Sequence, residues 1–295
     1  MRFEFVADRQ VKVKTFLKGH DISKALLAKI KFDGGNIWVN GIERNAIYLL
    51  NVGDVVTLDI PNEKSQNNLD PIKHNISIVF EDDNFLIINK PHGIPSIPSA
   101  LHAQSMANFV KNYYIEESYS NQLVHIVTRL DKDTSGLMLF AKHGYAHARL
   151  DKLLQKKAIE KRYFALVSGD EKLPDEGDII APIARSDDSI ITRSVDPLGK
   201  YAHTSYKVIA RYDKVSLVDI KLHTGRTHQI RVHFSHIGFP LLGDDLYGGR
   251  MDYGITRQAL HCYSIGFIDP FTNENISQKI DLTDDFDSVI MRLQL

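Results

Sequence analysis

Cysteine is almost absent from this chain. Cys262 stands alone among 295 residues, so no intramolecular disulfide can form. A fold of this length must then close on apolar packing, and a reducing cytoplasm is its expected home. An excess of charge is lacking too: 36 lysines and arginines face 37 aspartates and glutamates, for a formal net charge of −1. Binding to a polyanion would therefore have to come from local basic patches and not from a global field. No apolar run approaches the length that crosses a bilayer, so no membrane partner is expected. The segment Met1 to Arg9 carries acidic residues and no apolar centre, so a signal peptide is not expected either. Internal repeats and low-complexity segments are likewise missing. What remains is the expectation of a soluble protein, long enough for one large core plus an accessory module.

Large apolar groups also run out between Pro61 and Pro71, where Asn62-Glu63-Lys64-Ser65-Gln66-Asn67-Asn68-Leu69-Asp70 is polar and bounded by prolines. This reads as a flexible linker over residues 61–71, with a small domain over 1–60 and a larger one over 72–295. In the small domain, Asp21 or Ser23 can cap a helix from Lys24 to about Lys31, with Leu26, Leu27 and Ile30 on one face. Asn40-Gly41, inside Ile37-Trp38-Val39-Asn40-Gly41-Ile42, signals a tight hairpin. A closing strand is expected over Val52–Leu58.

The large domain opens with two strands around the acidic turn Glu81-Asp82-Asp83, ending in Asn89-Lys90-Pro91, where proline fixes a bend. Helices are expected from Ser105 to Tyr114, with Met106, Phe109, Val110 and Tyr113 as its apolar pattern, and over residues 144–158, with Leu150, Leu153 and Leu154 inward. Between them lies Thr128-Arg129-Leu130-Asp131-Lys132-Asp133-Thr134-Ser135-Gly136, flanked by the apolar runs His125-Ile126-Val127 and Leu137-Met138-Leu139-Phe140-Ala141. Thr, Ser and Gly there can bond their own backbone and take positive φ. Such a loop can hold Asp131 at the rim of a sheet, where a nucleophilic carboxylate is useful. The plain alternative is a capped surface turn with solvated charges.

This fragment resembles the R-L-D-x-x-T-S-G signature of the RluA-type RNA pseudouridine synthases, which places their catalytic aspartate at Asp131. Two more stretches resemble family segments in the family's order. Glu160-Lys161-Arg162-Tyr163-Phe164-Ala165-Leu166-Val167 is similar to its K-x-Y strand, and Thr224-Gly225-Arg226-Thr227-His228-Gln229-Ile230-Arg231-Val232-His233 to its T-G-R-T-H-Q-I-R-x-H segment. The likeness covers roughly residues 70–295. The small domain separately resembles an RNA-binding domain first known from a ribosomal small-subunit protein, with basic positions Lys12, Lys14, Lys18, Lys24, Lys29 and Lys31 on its helices. The resemblance implies an α+β protein: a mixed, mainly antiparallel catalytic sheet with flanking helices, plus a small α+β RNA-binding domain. One position departs from the family, which has histidine where this chain has Thr128.

Isomerising a uridine breaks the bond from base to ribose, turns the base, and joins carbon 5 to the sugar. No redox step and no external group enters, so no cofactor and no metal is expected. A carboxylate can attack either the base or the sugar and must be ionised to do so, a form that a guanidinium beside it favours. Arg231 is the expected partner, near the start of a helix from about Thr227 to Ile237 that has Ile230, Phe234 and Ile237 as its buried stripe and Gly238 at its end. Tyr163, on one strand face with Ala165 and Val167, is expected to stack on the base and move the carbon 5 proton. Arg129 is expected to fill the space a flipped uridine leaves or to hold the displaced phosphate. The resemblance sets Leu260 against the base, and it makes Gly243-Asp244-Asp245-Leu246-Tyr247-Gly248 a structural turn. Lys24, Lys29 and Lys31 are expected to touch RNA phosphates, giving affinity without sequence choice. Thr128 has no acid or base duty in this scheme, so activity is expected to survive the departure.

Two rival readings compete. His223, His228, His233 and His236 suggest a metal helix, yet His228 and His233 are five apart, with no carboxylate among them. A non-catalytic, ribosome-associated RNA binder fits the small domain equally well but gives no reason for Asp131, Tyr163 and Arg231 to occur together. The expected partner is ribosomal or transfer RNA, and the expected state a monomer.

Overall fold

The computed structural model describes residues 1–295 apart from 64–68, 170, 187, 188, 190 and 295. Near the N-terminus, strands Arg2–Val6, Val55–Asp59, Asn36–Val39 and Ile42–Glu43 pair in that order into an antiparallel sheet. Helices Val13–Gly19 and Lys24–Phe32 share one apolar cluster with it, including Phe16, Leu17, Ile30, Val56 and Leu58. The hairpin turns where Asn-Gly stands: φ is 52° at Asn40 and 77° at Gly41, both in the left-handed region. Asn40 Oδ1 also accepts the Val55 N–H at 2.9 Å, fastening the turn to the next strand. Of the two candidate caps, Ser23 is the one used, its Oγ accepting the Leu26 N–H at 3.1 Å. Asp21 instead sits at a φ of 67° and forms ion pairs with Arg149 and Lys152. The closing strand starts later than expected, at Val55, because Gly53 takes positive φ and Asp54 accepts the Asn51 N–H, making Val52-Gly53-Asp54 a turn.

The rest of the chain is built around a ten-stranded sheet. Its main path runs Glu176–Ile180, His203–Tyr212, Val215–Leu222, Glu160–Ser168, Leu260–Ile268, Ser135–Ala141, Phe85–Lys90, Ser77–Glu81. Ser135–Gly136 pairs in parallel with His261–Cys262, and the other pairings are antiparallel, so the chain is α+β with a mixed, mainly antiparallel sheet. Every residue of Ser135–Ala141 is buried, which is why that run is continuously apolar and not alternating. At Gly136 φ is 115°, and a Cβ there would meet the Cys262 carbonyl oxygen at 2.2 Å, so the parallel contact requires glycine.

Helix Met106–Glu116 buries Met106, Phe109 and Val110, with Tyr114 in place of Tyr113 as its fully buried ring. Helix Gly144–Gln155 ends three residues before the expected 158, and Lys157 beyond it has a φ of 56°. Helix Gln229–His236 begins two residues after the expected Thr227, because His228 is left-handed with a φ of 54°. Gly238 follows its C-cap at a φ of 83°, as its position suggested. A C-terminal helix, Asp284–Leu293, buries Phe286 and Val289. Among the described residues no helix is long and apolar enough to cross a membrane.

The N-terminal sheet rests on helix Gly144–Gln155. Phe3 meets Tyr145 edge-on at 5.0 Å and stacks on Phe271 at 5.7 Å, and the Tyr145 hydroxyl donates to the His20 carbonyl at 2.6 Å. Of the expected flexible linker, residues 64–68 lie outside the described residues. Its first part is held: the Glu63 N–H donates to Asn121 Oδ1 at 2.7 Å, and Glu63 Oε2 lies 2.7 Å from His125 Nε2. The expectation of a loosely tethered module gives way to a docked one, because aromatic faces on both sides bury each other.

Candidate active site

The Asp131 loop is clamped from three sides. Val127 and Thr128 both send their N–H to the Leu139 carbonyl, and Thr128 Oγ1 accepts the Leu139 N–H at 2.9 Å. Thr128 is thus a buried side chain that completes the strand pairing, a structural duty for which no titratable group is needed. Next, Ser96 Oγ accepts the Leu130 N–H at 3.0 Å and donates to the Leu130 carbonyl at 2.6 Å. Below, the fully buried Lys90 sends its Nζ to the carbonyls of Pro91, Ile94 and Lys132 at 2.8, 2.6 and 2.8 Å. Burial pushes the Lys90 amine down to about 7, with the Asp133 and Asp131 charges working the other way. Three carbonyl acceptors need three N–H donors, so the geometry favours the ammonium form at neutral pH. The bend expected at Lys90-Pro91 is therefore a buried lysine knot joining the Pro91–Pro95 segment to the Asp131 loop.

Asp131 opens into a cleft of about 550 Å³, lined also by Arg129, Lys161, Tyr163, His228, Arg231 and Leu260. Its Oδ2 lies 3.6 Å from Arg231 Nη1 and 3.9 Å from His228 Nε2. Both gaps are longer than hydrogen bonds, so the carboxylate faces the Arg231 charge without being tied up by it. Arg231 gives its tight contacts elsewhere: Nε and Nη2 each donate to Asp244 at 2.7 Å. Asp244 is fully buried, and Tyr247 lies under the guanidinium with 4.8 Å from ring centroid to Cζ. Burial opposes the Arg231 charge, yet the Asp244 bonds and the Asp244 and Asp131 charges hold its pKa above the ordinary value. The G-D-x-x-Y-G turn supplies the aspartate and tyrosine that set the orientation of Arg231.

Tyr163, Ala165 and Val167 are all buried, and Tyr163 and Leu260 border the cleft, on strands paired through Ala165 and Leu260. Burial above all, then the Cys262 thiol and the Asp131 charge, holds the Tyr163 phenol far above its usual range, so it stays protonated. Lys161, two residues earlier, is shifted the other way, its ammonium disfavoured by burial and favoured by Cys262 and Asp131. Arg129 is exposed at the rim. Lys24, Lys29 and Lys31 are exposed on the N-terminal module, away from this cleft. The metal helix does not assemble: His233 is fully buried between Thr204 Oγ1 and the Ala181 carbonyl, while His228 Nδ1 bonds the Tyr247 hydroxyl at 2.8 Å.

Sequence reasoning gave no part in the site to Ser96, Lys161 or Asp244, while Lys90 had entered as part of a bend and His228 among the rival metal histidines. Lys161 lies inside the K-x-Y strand and Asp244 inside the G-D-x-x-Y-G turn, so position was available but function was not. Residues 84–236 match the RNA pseudouridylate synthase family. Over 282 residues the chain is 42% identical to an uncharacterized RNA pseudouridine synthase, YjbO, of Bacillus subtilis (strain 168), covering 94% of this chain and 98% of that one. It is 37% identical over 275 residues to the ribosomal large subunit pseudouridine synthase D of Buchnera aphidicola subsp. Schizaphis graminum (strain Sg), covering 88% and 86%. Among solved structures, human RNA pseudouridylate synthase domain containing 4 is similar in fold, with a TM-score of 0.62 at 22% identity over 74% of this chain and 93% of that one.

Proposed function

The chain belongs to the RNA pseudouridylate synthase family and is an isomerase that acts on RNA; on that premise we propose that it converts uridine to pseudouridine in ribosomal RNA with Asp131 as nucleophile. One observation carries the assignment of the nucleophile: the Asp131 carboxylate is open to the cleft, 3.6 Å from a guanidinium that is itself bound to Asp244. Ribosomal RNA is favoured over transfer RNA by the name of the relative in Buchnera, a ribosomal large subunit synthase.

Asp131 attacks carbon 1 of the ribose, and the bond to N1 of uracil breaks with its electron pair leaving on the base. The freed base turns between Tyr163 and Leu260, carbon 5 attacks carbon 1, and the carboxylate departs. Carbon 5 then loses its proton and N1 gains one, so no atom enters or leaves overall. Tyr163, held protonated, serves as a relay that accepts the carbon 5 proton as it passes its own on. Arg129 occupies the place of the flipped nucleotide or holds its phosphate, since unstacking a base costs about a few kcal/mol. Arg231 stabilises the ionised carboxylate before attack and after release. The same reading assigns residues 1–60 as an RNA-binding domain, 61–71 as a linker and 72–295 as the catalytic domain, in a monomer working in the cytoplasm.

Asp131→Asn keeps the shape of the side chain and removes the nucleophile. Tritium release from uridine labelled at carbon 5, in ribosomal RNA, should fall to background while RNA affinity holds. Near-normal release from the variant would overturn the assignment. Release from neither protein, with both bound to RNA, would favour the non-catalytic binder.

A further inference from the structure

A second polar cluster lies outside the cleft, across three adjacent strands at one end of the large sheet. Asp178 is paired with Ser205 between strands Glu176–Ile180 and His203–Tyr212. One step beyond the Thr204–Leu222 pair, the His223 N–H donates to the His203 carbonyl at 3.1 Å, setting the two histidines opposite each other. Alternation along each strand puts Asp178, His203, Ser205 and His223 on one face. There Asp178 Oδ1 lies 2.6 Å from His203 Nε2 and 2.5 Å from Ser205 Oγ, and Ser205 Oγ lies 2.6 Å from His223 Nε2. The two imidazoles stack with centroids 4.0 Å apart and planes 14° from parallel. One carboxylate oxygen and one nitrogen from each ring all fall within 4.8 Å of one another. None of the three residues lines the cleft.

We propose that Asp178, His203 and His223 form a binding site for a divalent transition-metal ion of the zinc type, separate from the catalytic cleft. Two imidazole nitrogens and a carboxylate oxygen suit such an ion, whose bonds to them are about 2.0–2.2 Å long. Tetrahedral ligation at that length needs donors roughly 3.3–3.5 Å apart, so the present spacing closes onto an ion by side-chain rotation alone. Paired strands mount the donors more rigidly than a loop would. The backbone behind them is fixed as well: the His203 N–H donates to Thr224 Oγ1 at 2.9 Å, and its carbonyl accepts Gln229 Nε2 at 3.0 Å. The Asp178 side chain is 58% exposed, which leaves the solvent side open for a water as fourth ligand. Lys221, the cation facing Ser205 across the strands, is bound to Glu160 at 2.7 Å and so opposes the ion weakly. Without an ion, the same side chains form a hydrogen-bonded chain from His203 through Asp178 and Ser205 to His223, and the test must separate the two.

Full-length protein stripped with EDTA and dialysed is titrated with cobalt(II), following the visible bands of a low-coordinate cobalt site, and then with zinc as competitor. One equivalent of cobalt should bind and zinc should displace it. His223→Ala and His203→Gln should weaken cobalt by more than the roughly 10–100-fold that an outer-shell partner is worth. His236→Ala, at an exposed histidine outside the cluster, should bind as the parent does. Thermal melting guards against unfolding: zinc should raise the melting temperature of the parent and leave that of Asp178→Asn unmoved, with both folded before zinc is added. No stoichiometric cobalt spectrum in the parent, or a spectrum unaltered in both histidine variants, would overturn the site. Tritium release by the EDTA-treated protein should stay at full rate. A loss that zinc restores would overturn the separation from the cleft.

Discussion

Arg231 is bound on one side and loose on the other, and that asymmetry sets what Asp131 can do. If Asp244 did not hold Nε and Nη2, the guanidinium would be free to swing across the 3.6 Å gap and close on Asp131, the proposed nucleophile. Asp244→Asn keeps the shape and removes the charge. Breaking a buried ion pair leaves a cation short of its counter-charge, a loss of about 3–5 kcal/mol that rotation toward Asp131 offsets in part. We expect slower single-turnover tritium release at unchanged RNA affinity, together with a lower melting temperature. An unchanged rate in the folded variant would show that Asp131 does not depend on this arrangement. At this scale the sequence was legible in position, since Asp131, Tyr163 and Arg231, drawn from three separate motifs, are brought by the fold to one cleft. It was silent where duty arises from contacts made across the chain. Lys90 reaches Lys132 over 42 residues, and Ser96 reaches Leu130 over 34. Nothing local to a buried lysine or serine announces such partners.

Elements were legible by period and obscure at their ends. The apolar spacing of Gln229–His236 and the Asn-Gly hairpin carry their own signal, whereas the left-handed His228 that delays the helix has no pattern to reveal it. Strand Arg2–Val6 alternates exposed and half-buried residues, a short signal that is easily passed over. Helix Gly144–Gln155 begins on an unusual cap: His143 Nδ1 accepts the Ala146 N–H at 3.1 Å, and its Nε2 lies 3.1 Å from Asn84 Oδ1. Burial first of all pushes His143 down to about 4, with Glu63 pulling weakly the other way, so the ring is neutral and free to accept. The folded value lies below the unfolded one of about 6.5, so the unfolded chain binds more protons between them. Stability is therefore full above that window and is lost as pH falls through it. Buried His261, also pushed to about 4, acts in the same direction. Each can contribute up to about 1.4 kcal/mol per pH unit in the window. His143→Asn keeps a capping oxygen without a titrating ring. Urea unfolding at about pH 7 and about pH 5 should show a smaller acid loss in this variant than in the parent. Parallel losses would place the acid sensitivity elsewhere.

For the whole molecule, the least legible feature was how the N-terminal module sits. Phe3, Tyr145 and Phe271 are ordinary aromatics far apart in sequence, and nothing in their neighbourhoods signals that they meet. The docking changes how the module's part in RNA binding must be tested. Deleting the first sixty residues would strip Tyr145 and Phe271 of their cover, and any loss would mix instability with lost RNA contact. Neutralising Lys24, Lys29 and Lys31 to glutamine in the intact chain avoids this, because all three are exposed and none belongs to the Phe3–Tyr145–Phe271 contact, Lys29 acting only through its charge on Glu63 at the junction. If they neutralise phosphates, affinity for RNA should fall tens-fold, on the order of 2 kcal/mol. The logarithmic salt slope should become shallower by about one unit for each lysine that touches a phosphate. The single-turnover rate at saturating RNA should hold, since Asp131, Tyr163, Arg129 and Arg231 all line the cleft and none lies on the module. Binding at several salt concentrations, paired with tritium release, checks all three expectations. Equal affinity with an equal slope would show that this lysine face does not meet the RNA. A slower saturated rate in a folded variant would show instead that the docked module helps aim the uridine at Asp131.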